Sequence, residues 1–210
     1  MFIAVNGVDR MGKAFSEEER SSVQENLRRT GLKLFSEKGL KGVSIRELTS
    51  AAGIAQGGFY TFYKDKTDFV IDLMELRIKE KLAAAAEKKE RSLSDPVGYL
   101  TELYYEQGMH LIKNKAFVNT SGGTLEMYLG FDTDTVERIR RHYRDFINML
   151  IDYWRDNGYT VDADIGGIME LMRMAGVLIS ESAIFDSEYF GRSYKVFCTA
   201  GVNEYLKVSR

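Results

Sequence analysis

Val43-Ser44-Ile45-Arg46-Glu47-Leu48-Thr49-Ser50-Ala51-Ala52-Gly53-Ile54-Ala55-Gln56-Gly57-Gly58-Phe59-Tyr60-Thr61-Phe62-Tyr63 reads as two short helices with a glycine turn between them. Ser44 with Glu47 three residues later has the spacing of a capping box, in which a hydroxyl takes a free amide and a carboxylate reaches back. Ile45, Leu48 and Ala52 mark one buried face at helical spacing. Gly53 supplies the positive φ that a tight turn needs, and Ile54 plugs it. A second helix is expected over about 55–61. Two short helices joined in this way form the unit whose second helix enters the major groove of duplex DNA. The same outline also occurs as a plain αα-hairpin.

Working outward, Ser16 before Glu17, Glu18 and Glu19 is N-cap and first-turn chemistry for a helix over about 17–37, followed by Gly39 as its stop. Asp65 can cap a longer helix to about Lys89 that carries Phe69, Val70, Leu73 and Met74. Pro96 suits the first position of the next, which runs to about Asn114. Ser121-Gly122-Gly123 breaks the pattern, and a short helix near 124–130 is expected. Helices over 134–157, from Asp162 or Asp164 to about Phe185, and from Ser187 to Leu206 complete the chain, while residues 1–15 show no period. The expected fold is all-α with about nine helices, divided into an N-terminal head (1–66) and a C-terminal bundle (67–210).

Composition agrees with that reading and excludes several others. One proline in 210 residues is far below the usual ~5% and suits a helical chain. The single cysteine, Cys198, excludes an internal disulfide and a Cys-based metal cluster, and reads as a small buried apolar residue. The apolar run Phe2-Ile3-Ala4-Val5 is too short for a secretory signal, and no stretch is long enough to span a membrane, so a cytoplasmic protein is expected. Net charge is −2, but residues 1–66 carry +3 and the other 144 carry −5. A basic head on an acidic body suggests that a polyanion meets the head only.

Catalytic constellations are thin. His110 lies four residues after Glu106 and His142 five after Glu137, neither matching the Glu-x-x-His spacing of a di-iron bundle. Gly57-Gly58 and Gly122-Gly123 lack the flanking strand of a phosphate-binding loop. Neither an enzyme, a metal nor a cofactor is expected.

The run from Val23 to Phe69 resembles the head of the tetracycline-repressor (TetR) family. The likeness sits in Leu34-Phe35-Ser36-Glu37-Lys38-Gly39, Val43-Ser44-Ile45-Arg46-Glu47-Leu48, Ala51-Ala52-Gly53-Ile54, Gly57-Gly58-Phe59-Tyr60-Thr61-Phe62-Tyr63 and Lys64-Asp65-Lys66. It covers about 47 of 210 residues without a gap. The resemblance implies a homodimeric transcription factor, most often a repressor, that binds a palindromic operator and is released by a small-molecule effector. Two other readings compete: a helix–turn–helix protein whose body binds a protein partner, and a helical enzyme.

Physics and resemblance then assign the DNA-facing residues together. Ser44 and its free amides can hold a phosphate. Gln56 can read a base edge, and Gly57 and Gly58 let the backbone approach the duplex. Tyr60 and Thr61 offer hydroxyls, Lys64 and Lys66 positive charge. Arg46 and Tyr63 complete the set, each with an alternative as solvated charge and packing residue respectively. Ala55 stands where the family usually carries Ser or Thr, so the second helix lacks its cap and is expected to fray without DNA.

In the body, Tyr104, Met109, Met127, Tyr128, Phe131, Tyr143, Phe146 and Trp154 suit a pocket for a flat or greasy effector, or ordinary core. Arg140, Arg141 and Arg144 could hold an anionic effector, or pair with Glu137 and Asp145. Ile168, Met172, Ala175, Gly176 and Ile179 on one helix, with Phe197, Gly201 and Tyr205 on the next, read as a dimer face.

Overall fold

The structure, a computed structural model, describes residues 16–113 and 131–210. Helix α1 (Glu17–Lys38) starts where its cap chemistry places it: the Ser16 hydroxyl accepts the Glu19 amide, and the Glu19 carboxylate accepts the Ser16 amide. Helix α2 (Ile45–Ala51) starts at Ser44, whose hydroxyl accepts the Glu47 amide at 3.1 Å. The second half of that box is not made. The Glu47 carboxylate pairs instead with the Lys38 ammonium at the end of α1, a charge-assisted bond stronger than one to a neutral amide.

Gly53 turns the chain at φ 70°, and the Ile54 amide closes the turn on the Thr49 carbonyl at 3.0 Å. Helix α3 is shorter than expected, Gln56–Phe59 only, and Ala55 gives it no side-chain cap. Helix α4 (Lys66–Ala86) begins at Asp65, which accepts the Asp68 amide.

A 3-10 turn (Lys89–Leu93) leads to α5 (Pro96–Lys113); α6 (Thr133–Asp156), α7 (Ile165–Ser180) and α8 (Ser187–Tyr205) form the rest of the bundle. Asp132, Asp164 and Asp186 cap the last three. Asp162 lies instead in a strand. Helix α7 stops five residues before the expected Phe185, and a second 3-10 turn, Ser182–Ile184, follows. Eight α-helices stand among the described residues; the expected helix near 124–130 lies outside them.

A small antiparallel sheet was not anticipated. Strand β1 (Thr160–Ala163) pairs with β2 (Leu206–Ser209), Thr160 opposite Ser209 and Ala163 opposite Leu206. It ties the end of α8 back to the α6–α7 connection.

Two buried clusters share α4. The first joins Leu27, Phe35, Leu48, Phe59, Tyr63, Phe69, Val70 and Leu73, so the core of the head continues past the expected cut at residue 66. The second joins Ala85, Leu100, Phe146, Leu150, Trp154, Ile168, Cys198 and Val202.

The expected dimer face is largely turned inward. Ile168, Ala175 and Ile179 are buried within their own chain, and Met172, Phe197 and Tyr205 pack against the same core. A Cβ on Gly201 would meet Leu171 Cδ1 at 2.3 Å, and one on Gly167 would meet the Tyr205 ring at 2.2 Å. These small residues therefore let α7 and α8 approach each other. Of the expected set only Gly176 is exposed. On α7 and α8 the large apolar residues turned outward are Met174, Val177, Tyr189 and Val196, the last 68% exposed. Helix α7 is apolar on both sides, and periodicity groups residues by face without saying which face turns in.

Candidate nucleic-acid interface

Phe59 hangs the short helix α3 on the head. It is fully buried, its ring centroid 5.4 Å from Tyr63, 5.7 Å from Phe69 and 5.5 Å from Tyr60. Around this anchor Gln56, Gly57, Tyr60 and Thr61 are exposed, and they recur at i and i+4, the spacing of helix neighbours. A Cβ built on Gly57 meets nothing within 4 Å. The free chain thus imposes no steric need for glycine there; close approach by a partner would. Gly58 is half-buried, near Ile54. Ser44, Arg46 and Lys64 are exposed as well.

Two of the expected phosphate contacts are drawn inward. Tyr63 is only 4% exposed; its hydroxyl donates to Asp72 Oδ2 at 2.7 Å and accepts from Gln24 Nε2 at 3.2 Å. Its ring completes the head core, so its alternative reading as a packing residue is the one the fold adopts. The Lys66 ammonium donates to the Leu40 carbonyl and lies 5.9 Å from the Phe35 ring centroid. Burial lowers its pKa. The helix start that places Lys66 also faces it to the Leu40 carbonyl beyond α1, and it latches α4 to that turn.

Arg20 has the opposite history. Its guanidinium donates to the Thr61 carbonyl at 3.3 Å and lies 5.1 Å from the Phe62 ring centroid. A cation thus stands beside the tip from a position 41 residues away in sequence, where no local signal could mark it.

Behind the tip lies a polar network. Arg28 on α1 grips Asp72 on α4 with two bonds, Nε to Oδ2 at 2.7 Å and Nη2 to Oδ1 at 2.6 Å. Burial works to raise the Asp72 pKa, but the hydrogen bonds from Arg28 and Tyr63 outweigh it and hold the carboxyl below its ordinary value. A carboxylate held down contributes stability above its unfolded pKa and loses it as pH falls through the folded one. The urea midpoint of the head should therefore be flat above about pH 5 and fall below about pH 4. Asp72→Asn should remove part of that acid sensitivity.

Further along α4, Glu75 reaches the body: Arg138 Nε on α6 donates to its Oε1, and His142 Nε2 lies 4.0 Å from its Oε2. His142 Nε2 is buried and has no hydrogen-bond partner among the described residues.

The expected effector residues separate. Trp154 is fully buried and gives its indole N–H to the Ser92 hydroxyl at 2.6 Å, and Phe146 lies in the same core. Both act as packing residues. Tyr104 is buried, with its hydroxyl 3.4 Å from the Ile168 carbonyl, and burial pushes its phenol up. Met109, Phe131 and Tyr143 are half-buried; Met127 and Tyr128 lie outside the described residues. Arg144 and Arg140 lie within salt-bridge distance of Glu137. Among the described residues, no group of three or more His, Cys, Asp or Glu could hold a metal, and no helix is long and apolar enough to cross a membrane.

Comparison with known proteins places this geometry. Residues 27–73 match the profile of the bacterial regulatory proteins of the tetR family. The chain is 27% identical over 88 residues to the HTH-type transcriptional regulator AcrR of Shigella flexneri, covering 42% of this chain and 41% of that one. It is 33% identical over 66 residues to the transcriptional regulator AcuR of Cereibacter sphaeroides, covering 31% and 30%. The matched chain thus spans less than half the length of these curated relatives.

Solved structures extend the likeness to the whole fold. A TetR transcriptional regulator from Rhodococcus sp. RHA1 superposes with a TM-score of 0.63 at 15% identity, covering 89% of this chain and 98% of that one. RolR, solved in complex with resorcinol, gives 0.68 at 17% identity over 90% of each chain. A short exposed tip held on an aromatic core and the matched profile over that core give one conclusion: residues 27–73 form a head of the kind that marks the tetR family of bacterial regulatory proteins, on a body that shares the fold of solved tetR-family regulators.

Proposed function

We propose that this protein is a tetR-family regulator, a homodimer that sets two α3 tips into a palindromic operator and responds to a small molecule bound in its body. The observation that carries the reading is the tip itself. Gln56, Gly57, Tyr60 and Thr61 are exposed around a buried Phe59, and the space beside Gly57 is open. Gln56 reads base edges, while Ser44, Arg46 and Lys64 hold the flanking phosphates. Arg20 adds charge beside them.

The dimer uses the outward faces of α7 and α8, where Met174, Val177, Tyr189 and Val196 stand exposed, rather than the inward set expected from periodicity. A stable two-fold interface needs such an apolar patch on each copy. Resorcinol bound to RolR supports a small aromatic effector. Tyr104, Met109, Phe131 and Tyr143 remain the candidates to meet one. Helix α4 joins the parts, through Asp72 to the head and Glu75 to α6. A coupling of ~1–3 kcal/mol between effector and operator is expected from such a joint.

The test is duplex selection. The chain should retain a palindrome from a randomised pool and sediment as a dimer at micromolar concentration. Lys64→Ala should weaken all sequences alike and reduce the salt slope by about one, whereas Gln56→Ala should change the preferred base at one position. Sedimentation as single chains with no duplex retained would overturn the reading.

A further inference from the structure

The tip that reads DNA has little to hold it. Helix α3 has four residues, no side-chain cap and two glycines, and each glycine loses more backbone freedom on folding than alanine does. Phe59 fixes its inner side, and Arg20 holds the Thr61 carbonyl just past the helix end. A further restraint comes one turn later. Tyr63 closes the chain after α3, its amide on the Phe59 carbonyl at 3.1 Å. Its hydroxyl crosses to Asp72 Oδ2 on α4 at 2.7 Å and accepts from Gln24 on α1 at 3.2 Å. Asp72 is itself clamped in both oxygens by Arg28. Four side chains from α1, the exit of α3 and α4 thus close one network, mostly shielded from water.

We propose that Tyr63 and Asp72 are a positioning pair: α4 holds the orientation of the reading helix through the Tyr63 hydroxyl, without either residue touching DNA. The proposal deepens the operator-binding reading and rests on it. The phenol is the right group for the task. Burial and the adjacent carboxylate keep it protonated, so it donates at every ordinary pH. The carboxylate accepts it together with the Arg28 Nε–H on the same oxygen, leaving the other oxygen to Nη2. The network also gives α4 a lever: a displacement of α4 moves Asp72, and with it the exit of α3.

Tyr63→Phe isolates the pin, because it keeps the ring and removes only the hydroxyl. Amide exchange of the full chain reads the tip directly. The Gly58, Thr61 and Phe62 amides, bonded to Ala55, Gly58 and Phe59 carbonyls, should exchange roughly tenfold faster in the variant. Amides of mid-α1, such as Leu27 and Gly31, should keep their wild-type rates. Affinity for the duplex that the wild-type chain selects from a randomised pool should fall about tenfold, with the salt slope unchanged because no phosphate contact is lost. Asp72→Asn, which retains an acceptor oxygen but loses the charge clamp, should loosen the same three amides.

Wild-type exchange at the tip in Tyr63→Phe would overturn the proposal, as would a uniform rise across the whole head, which is the mark of a merely structural residue. Faster exchange at the tip with unchanged duplex affinity would also overturn it, since orientation would then not matter to reading. If the wild-type chain selects no duplex, the operator-binding reading fails, and the positioning role in DNA reading fails with it; the exchange rates alone then say whether the hydroxyl restrains α3.

Discussion

Replacing Phe59 with alanine should destabilise the head by ~3–5 kcal/mol and abolish retention of duplex DNA. The ring is fully buried and meets Tyr60, Tyr63 and Phe69. Truncation removes those contacts and leaves a cavity the surrounding rings fill only in part. The four-residue α3 has no cap and no other buried side chain, so its order depends on this anchor. Urea unfolding followed at the head, together with a retention assay, checks the prediction. A variant that keeps the wild-type midpoint would contradict the anchor role. Phe59→Leu should recover a large part of the stability, because it refills most of the volume.

Trp154→Ala should cost the body a comparable ~3–5 kcal/mol. The indole is fully buried among α5–α8 residues, and its N–H donates to Ser92, itself fully buried. Two losses combine: the packing of the largest side chain in that core, and the partner of a hydroxyl that remains buried. Trp154→Phe separates them. It retains most of the apolar surface and loses the hydrogen bond, so about 1–2 kcal/mol should go. Thermal unfolding of both variants measures the difference. Equal losses in the two would mean that the hydrogen bond, not the packing, dominates.

Much of the frame was legible because its determinants are local. Ser16 and Glu19 satisfy each other's amides three residues apart; Gly53 takes its positive φ within one turn; Asp65 caps the next helix four residues before Phe69. The missing cap at Ala55 was legible too, and α3 is correspondingly short. Ile45, Leu48 and Ala52 were grouped on one face by helical spacing, and that face packs into the head core.

The candidate site was legible only on its outer side. Ser44, Arg46, Gln56, Gly57, Tyr60, Thr61 and Lys64 stand exposed, as side chains with no apolar period are expected to. Tyr63 and Lys66 carry the same polar tips in sequence, yet Asp72 and the Leu40 carbonyl claim them. Arg20 reached the tip without any sign in its own neighbourhood.

The sequence by itself determined where helices begin and turn, and which residues share a face, since those choices rest on bonds within one or two turns. Tertiary structure alone decided which face of α7 turns inward, that residues 160–163 pair with 206–209, and that Arg28 meets Asp72 across 44 residues. The physical reason is distance along the chain: a buried polar group or an apolar face takes whatever partner packing brings to it, and no local pattern records which one that will be.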